Sequence, residues 1–306
     1  MKDRFNDLCD TLFPDISIHA REIAGWLQAI LFIVFTVLFT LLGRLLPLGG
    51  YIGFDWYTFY SQGRAPVFYP PWTHIIISLL SWELLIGVTL AGFSLAVIRR
   101  SKHPVSVISA LLCLPLLWTI FLGQLEGIVV AGLLVMPWLA PLALIKPQVS
   151  IFAFLAKRSY LVVVILFLIL TIIIWGMWPL RTLNVESFYN DGRYPQNIGL
   201  GWWALPISLV LLWFSRGDMD MLMISGCFML PHLIPYNLLP IAPAIARLKP
   251  KASILAFIFS WLPFSANWFG PKGWWLGWIF ILWLWFNIAA QRYPKSKASQ
   301  WLLRYF

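Results

Sequence analysis

Residues 49–72 read GGYIGFDWYTFYSQGRAPVFYPPW and stand between the first two long apolar runs of the chain. The stretch holds one carboxylate, Asp55, one arginine, Arg64, and a series of Tyr, Trp and Phe rings. The runs on either side carry few charges and exceed the roughly 20 residues that a helix needs to cross a hydrocarbon core. Together they predict a polar loop between two membrane-spanning helices.

The composition of the whole chain agrees with this interpretation. Of its 306 residues, 60% are hydrophobic and 11% are charged, whereas soluble domains carry roughly 25% charged residues. The 19 Trp residues fit rings collected at the two membrane interfaces. We therefore predict an all-α fold: a polytopic integral membrane helical bundle with about ten transmembrane helices.

The apolar runs divide the chain into one membrane domain and two short terminal segments. Residues 1–24 are predicted to lie on the inner membrane surface as an amphipathic segment. Residues 25–291 form the transmembrane domain, with outer loops at 49–71 and 181–199, and residues 292–306 are a basic cytoplasmic tail. The predicted spans cover about 23–46, 72–98, 105–122, 128–145, 160–178, 201–214, two short stretches within 219–248, 253–267 and 274–290.

The net charge of +10 is distributed as membrane topology requires. Most of the 22 Lys and Arg residues, Lys146 among them, fall in clusters that alternate turns place on the inner side, so both termini are predicted to be cytoplasmic. No stretch resembles a nucleic-acid-binding module, and no nucleic-acid partner is expected. The three widely spaced cysteines suggest neither a disulfide framework nor a zinc site.

Asp55 is the strongest catalytic candidate. Partial burial among the neighbouring rings would penalise its charged form and make it a better base. An ordinary loop aspartate that caps a turn explains the same position, and the residues alone leave both interpretations open.

Other polar residues have competing explanations. Proline is favoured in the first turn of a helix, so Tyr69-Pro70-Pro71 is expected to begin the second span and to have a structural role. His74 is either an interfacial polar residue or a phosphate ligand. Glu83 is expected about 16 Å into the second span, on a packed face. The pair Asp218 and Asp220 is expected in a solvated turn on the inner side.

Three segments in order resemble a known family: Asp55-Trp-Tyr-Thr-Phe-Tyr60 followed by Tyr69-Pro-Pro-Trp72, then Gly123-Gln124, then Lys146-Pro147-Gln148. They are similar to the GT-C membrane glycosyltransferases, and among these to the mannosyl- and arabinofuranosyltransferases that use polyprenyl-phosphate sugars. Pro231-His232 through Tyr236 resembles a later region of that family. The family commonly has Asn at the position of Glu126, and its members are longer than this chain.

The resemblance implies an inverting, metal-independent glycosyl transfer on the outer face of a prokaryotic plasma (inner) membrane. The donor would be a polyprenyl-phosphate-linked sugar, mannose-like or a pentose, the acceptor a lipid or glycan, and no further cofactor is implied. Asp55 would act as the base. The residues implied to bind substrate or phosphate are Arg64, Tyr69, His74, Gln124, Glu126, His232 and Lys272.

An alternative from another class keeps the same helices without the chemistry. A catalytically inactive accessory subunit, or a transporter of a lipid-linked intermediate, would retain the Tyr-Pro-Pro segment and the Gly-Gln turn as packing features. Besides the substrates, the expected partners are membrane lipids and other membrane subunits. A transporter needs a polar path across the membrane, and Glu83 is one of few ionisable residues within the predicted spans.

Overall fold

The computed structural model describes residues 7–8, 10–14, 23–46, 50–63, 69–182 and 194–306, with the backbone alone at 181 and 182. In these ranges the regular structure is helical and contains no β-strand, so the all-α prediction is confirmed there. Five helical stretches in the described ranges are long and apolar enough to cross a membrane: Gly25–Gly43, Trp82–Arg100, Pro104–Leu122, Arg158–Trp175 and the interrupted stretch Pro250–Arg292.

Together with several 3-10 turns and one π-helical turn, the described residues contain sixteen α-helices. They are α1 (Gly25–Gly43), α2 (Trp72–Ser78), α3 (Trp82–Arg100), α4 (Pro104–Leu111), α5 (Leu114–Leu122), α6 (Glu126–Leu134), α7 (Ala140–Ala143), α8 (Pro147–Ser150), α9 (Arg158–Trp175), α10 (Pro179–Thr182), α11 (Leu205–Ser215), α12 (Met219–Gly226), α13 (Pro250–Trp261), α14 (Ala266–Phe269), α15 (Gly277–Arg292) and α16 (Lys297–Tyr305).

Helix α3 is the central helix of the bundle and packs against both α1 and α6. Small residues allow the close approach to α6: a Cβ added at Gly127 would lie 1.9 Å from the Thr89 hydroxyl oxygen, so only glycine fits there. Over 19 residues α3 rises about 28 Å. It joins the end that holds Trp82, here called the Asp55 end, to the end that holds Arg100, here called the arginine end.

The second predicted span is interrupted, and the prediction for Glu83 is wrong. Helix α2 ends at Ser78, and α3 begins at Trp82 after Ser81, whose hydroxyl accepts a hydrogen bond from the Leu84 amide at 3.2 Å. Glu83 therefore lies half-buried in the first turn of α3 and not deep in a continuous helix. A carboxylate in a first helical turn is favoured by the helix dipole.

The predicted span over 128–145 is also wrong, because the chain turns back on itself. Helix α6 runs from the Asp55 end towards the arginine end, where Arg99 Nη1 donates to the Leu134 carbonyl at 3.0 Å. After α7 the chain returns, and Lys146 Nζ lies 2.5 Å from Glu126 Oε1. Lys146, expected on the inner side, thus lies at the Asp55 end.

The proline-rich stretch 219–248 does not form the two short spans that were expected. It contains α12 and then short 3-10 turns, and nearly all of it is buried. The next two helices, α13 and α15, pack against each other, with Trp283 Nε1 donating to the Ala252 carbonyl at 2.9 Å. Gln291 Nε2 reaches the Arg247 carbonyl at 3.4 Å, so this pair of helices starts and finishes at the arginine end.

The Asp218–Asp220 pair is buried, so the prediction of a solvated turn is wrong. Asp218 accepts from Arg247 Nη2 at 2.8 Å, and Asp220 accepts from Arg100 Nη2 at 2.8 Å and from Arg247 Nη1 at 2.9 Å. We call these four residues the arginine cluster. They tie the ends of α3 and α12 to the segment before α13, which makes the cluster a structural clasp at this end of the bundle.

The two predicted terminal segments differ in how much of each is described. Much of residues 1–24 lies outside the described residues. The tail 292–306 contains α16, and the ring of Phe306 contacts the ring of Trp283 at 5.1 Å between centroids. The predicted basic tail is therefore helical and packed against the bundle over these residues.

Candidate functional site

The candidate site is built where the first loop docks on the turn between α5 and α6. The Gly53 amide donates to the Phe121 carbonyl at 2.7 Å, and a π-helical turn over Trp56–Tyr60 follows Asp55. Trp56 is buried in this contact. The loop is therefore fixed by backbone and ring contacts, and Asp55 stands at the start of its ordered turn.

Gly123 fixes the direction of the opposite turn. It has φ +77°, and a Cβ there would lie 2.6 Å from the Trp82 ring and 2.7 Å from Trp56 Cβ. Both the left-handed backbone and the close rings require glycine. The turn closes with the Gln124 amide donating to the Thr119 carbonyl at 3.0 Å, which brings the Gln124 side chain to the loop.

Five side chains from four separate parts of the chain form a connected polar cluster at this point. Gln124 Nε2 donates to Asp55 Oδ2. Lys146 Nζ donates to Gln124 Oε1 at 2.7 Å and to Glu126 Oε1 at 2.5 Å. Asn237 Nδ2 adds a donor to Glu126 Oε1 at 2.6 Å. We call these five residues the Asp55 cluster.

Tyrosine rings surround the cluster. Tyr60 donates its hydroxyl proton to Gln124 Oε1 at 3.0 Å and contacts the Tyr69 hydroxyl at 3.0 Å. Lys146 Nζ lies 4.6 Å from the centroid of the Tyr236 ring and 5.8 Å from that of Tyr69. These rings favour a buried ammonium by cation–π attraction while they exclude water from it.

The two carboxylates differ in their surroundings. Glu126 is buried, and its Oε2 has no hydrogen-bond partner among the described residues. Asp55 is half-buried. Burial raises the pKa of Asp55, a rise that Lys146 and the hydrogen bond from Gln124 oppose and that Glu126 reinforces. A partly accessible carboxylate with a raised pKa is suited to accept a proton.

His232 lies in the buried proline-rich stretch and is affected by the same ammonium. Its pKa is lowered to about 3, first by burial and then by the charge of Lys146. The imidazole is therefore neutral near pH 7. In that form it can offer a hydrogen bond to a phosphate but no positive charge.

The structure unites some of the expected site residues and not others. Asp55, Tyr69, Gln124 and Glu126 belong to one connected set of contacts. His74 and Lys272 are exposed on α2 and on the 3-10 turn Gly270–Leu276, with no hydrogen bond to the cluster among the described residues.

Arg64, which the resemblance implies, lies outside the described part of the chain, and so do the charged residues Glu186, Asp191 and Arg193 that the second predicted outer loop contains. Their positions relative to Asp55 stay predictions.

Sequence reasoning did not assign Tyr60, Lys146 or Asn237 to the site. One signal was present: Pro137 and Pro141 lie inside the run that was taken as a straight span, and proline inside an apolar run argues against a continuous helix. A turn at these prolines would have placed Lys146 at the Asp55 end.

The donor set of the cluster is suited to acid–base chemistry. In the part of the chain that the structure describes, no group of three or more His, Cys, Asp or Glu side chains is arranged to hold a metal ion. The Asp55 cluster offers a carboxylate that can take a proton, oriented by the Gln124 amide and flanked by the Lys146 ammonium.

Comparison with known proteins identified no relative for this chain: no protein-family model, no curated protein and no solved structure matches it.

Proposed function

We propose that the chain is a membrane glycosyltransferase. It moves a hexose or pentose from a polyprenyl-phosphate donor to a lipid or glycan acceptor, with inversion and without a metal. The observation that carries the proposal is the placement of Asp55: a half-buried carboxylate with a raised pKa, held by Gln124 at the rim of the bundle. The family resemblance supplies the substrate class.

In the proposed reaction Asp55 takes the proton of the acceptor hydroxyl. The acceptor oxygen forms a bond to the anomeric carbon of the sugar from the side opposite the leaving group. The bond from that carbon to the phosphate oxygen breaks, and the lipid phosphate leaves with the electron pair. A single displacement of this kind inverts the configuration and needs no covalent intermediate on the protein.

The departing phosphate needs a compensating positive charge, which is often a large contribution to catalysis. The candidates from the sequence are Arg64, His74 and Lys272. His74 and Lys272 are exposed on α2 and on the 3-10 turn Gly270–Leu276, and Arg64 stands in the loop that also contains Asp55. His232 would contribute a hydrogen bond from its neutral ring.

The proposed location is the plasma membrane of a prokaryote, with several passes, both termini inside and the site facing outward. Five helical stretches of suitable length support the membrane setting. Basic residues around the arginine end support the orientation, since such residues are retained on the cytoplasmic side. Among those next to the helix ends at the arginine cluster are Arg99, Arg100, Lys102, Arg216, Arg247, Lys249 and Arg292.

One observation favours the rival function of an inactive accessory subunit or transporter. The charge of Lys146 is met inside the cluster by Glu126, and Asn237 holds Glu126 in turn. An ion pair that is matched inside the protein can serve to lock helices together. Under this reading Asp55 would be dispensable.

Sugar transfer by the purified full-length protein tests the proposal. Radiolabelled polyprenyl-phosphate mannose, glucose and arabinofuranose are supplied in turn with membrane lipid acceptors. Wild type is compared with Asp55→Asn and with Glu83→Gln, a half-buried carboxylate at the same end and outside the cluster. We expect Asp55→Asn to lose activity by about 100-fold or more and Glu83→Gln to stay near wild type.

Equal transfer by wild type and Asp55→Asn would remove Asp55 from the mechanism. Absence of transfer from every donor, with wild type folded and monodisperse, would favour the accessory protein.

A further inference from the structure

The orientation of the Gln124 amide is set by its partners. An ammonium has only donors, so the atom of Gln124 that faces Lys146 Nζ at 2.7 Å is the carbonyl oxygen. An ionised carboxylate has only acceptors, so the atom that faces Asp55 Oδ2 is the amide nitrogen. The Tyr60 hydroxyl donates to the same carbonyl oxygen at 3.0 Å and reinforces this orientation.

We propose that Lys146 and Glu126 are positioning residues for Asp55. Lys146 holds Gln124 with its amide nitrogen on Asp55 Oδ2, which leaves the other carboxylate oxygen for the acceptor proton. Glu126 holds Lys146 through a contact of 2.5 Å and opposes its charge. The role of Asp55 in transfer rests on the proposed function, whereas the control of its orientation and charge rests on these contacts.

The burial of the pair makes the charges effective. The Lys146 and Glu126 side chains are each 3% exposed, so water screens them little and their fields reach Asp55. Glu126 Oε2 has no hydrogen-bond partner among the described residues. Its negative charge is therefore only partly compensated by Lys146 and Asn237.

The charged and titratable groups that face Asp55 come from three elements. Glu126 opens α6 after Gln124, Lys146 precedes α8, and Tyr60 comes from the π-helical turn that Asp55 itself begins. His232 is buried and neutral, and it is close enough for the charge of Lys146 to lower its pKa. Of these groups Lys146 lowers the pKa of Asp55 and Glu126 raises it.

The two residues therefore have opposite effects on one carboxyl, which a merely structural role would not produce. Lys146→Met removes the positive charge and frees Gln124, so the pKa of Asp55 rises by roughly one pH unit. Glu126→Gln keeps the shape and removes the negative charge, so the pKa falls by a similar amount. Transfer needs the ionised carboxylate, so the acidic limb of the rate profile moves to higher pH in Lys146→Met and to lower pH in Glu126→Gln.

Carboxyl labelling of the purified full-length protein measures the same quantity without any substrate. A water-soluble carbodiimide activates the protonated carboxyl, and an added amine then forms a stable amide. Labelling of the peptide that contains Asp55, followed by mass spectrometry across a pH series, gives the midpoint of Asp55 ionisation. Lys146→Arg is the matched control, because it keeps the positive charge and should leave the midpoint near that of wild type.

Opposite shifts in Lys146→Met and Glu126→Gln would support the proposal. Shifts in the same direction, or midpoints that match wild type in both variants, would overturn it. If Lys146→Met does not fold, the double variant Lys146→Met/Glu126→Gln replaces it. Its midpoint is then expected above that of Glu126→Gln alone, and equality of the two would overturn the proposal.

Failure of the two proposals gives different results. Opposite labelling shifts without sugar transfer from any donor would support the positioning of Asp55 and count against glycosyl transfer. Transfer that depends on Asp55 but shows no shift in the two variants would keep the enzyme and overturn the positioning.

Discussion

The two buried polar clusters of this bundle both pair carboxylates with cations. They differ in whether every carboxylate oxygen has a hydrogen-bond partner and in whether the charges balance. In the arginine cluster two carboxylates meet two guanidinium groups, and each of the four carboxylate oxygens accepts at least one hydrogen bond. The Asp55 cluster has two carboxylates and one ammonium, which binds Glu126 directly and is linked to Asp55 through Gln124, and Glu126 Oε2 has no partner among the described residues. The first is balanced in charge, and the second is not.

This difference separates a structural site from a candidate for chemistry. Planar guanidinium groups bind carboxylates through two contacts and stay charged, which suits a permanent clasp between helices. A lysine, an amide and a half-exposed carboxylate with a raised pKa form a less satisfied set, of the kind that accumulates at functional sites. The experiments below therefore test the difference in charge balance between the arginine cluster and the Asp55 cluster.

The largest expected effect on stability comes from removing one arginine from the arginine cluster. Arg247→Met leaves the buried charge of Asp218 without an arginine and takes one of two arginines from Asp220, and the loss of one partner of a buried ion pair costs about 3–5 kcal/mol. The free energy of unfolding in detergent, measured by denaturant titration, should fall by this amount. Lys102→Met, an exposed lysine at the same end, is the control and should change the free energy by less than about 0.5 kcal/mol.

If Arg247→Met lowered the free energy of unfolding no more than Lys102→Met does, the idea that the arginine cluster is buried and fully paired would be contradicted. Such a result would mean that water reaches both carboxylates in the folded protein.

A smaller effect is expected at the turn that presents Gln124. Gly123→Ala meets the left-handed backbone and the rings of Trp82 and Trp56, so it should cost about 1–2 kcal/mol from the backbone and about 1–3 kcal/mol from overpacking. Gly50→Ala has a similar φ of +65° with nothing within 4 Å of the added Cβ, and should show the backbone part alone. The difference between the two variants in unfolding free energy measures how tightly the loop is docked.

Equal losses in Gly123→Ala and Gly50→Ala would contradict this docking. They would show that Trp82 and Trp56 can move aside without cost.

The sequence predicted the class of fold because apolar length and charge segregation are strong local signals. It placed the first span and the one that begins near Tyr160 close to α1 and α9. It failed for 128–145 and 219–248, where runs of sufficient apolar length are packed inside the protein. An apolar composition does not show whether a helix is buried in protein or spans the bilayer, because the two kinds of helix have similar sequences.

The site was predictable to the extent that short motifs marked it. Asp55, Tyr69, Gln124 and Glu126 were named from their segments, and the structure joins them by hydrogen bonds. Lys146 was assigned to the opposite side, because one wrongly straightened helix reverses the side of the residue that follows it. Asn237 gave no signal, since its role depends on contact with a residue 111 positions away.

The most direct test of the account compares carboxyl reactivity at the two clusters in one sample. The folded full-length protein is treated with carbodiimide and an amine at about pH 5, near the ordinary range of aspartate titration, and labelling of Asp55, Asp218 and Asp220 is measured by mass spectrometry. We expect Asp55 to be labelled and the two aspartates of the arginine cluster to stay unlabelled until the protein is unfolded. Labelling of Asp218 or Asp220 to the same extent as Asp55 in the folded protein would contradict the distinction between an open and a closed cluster.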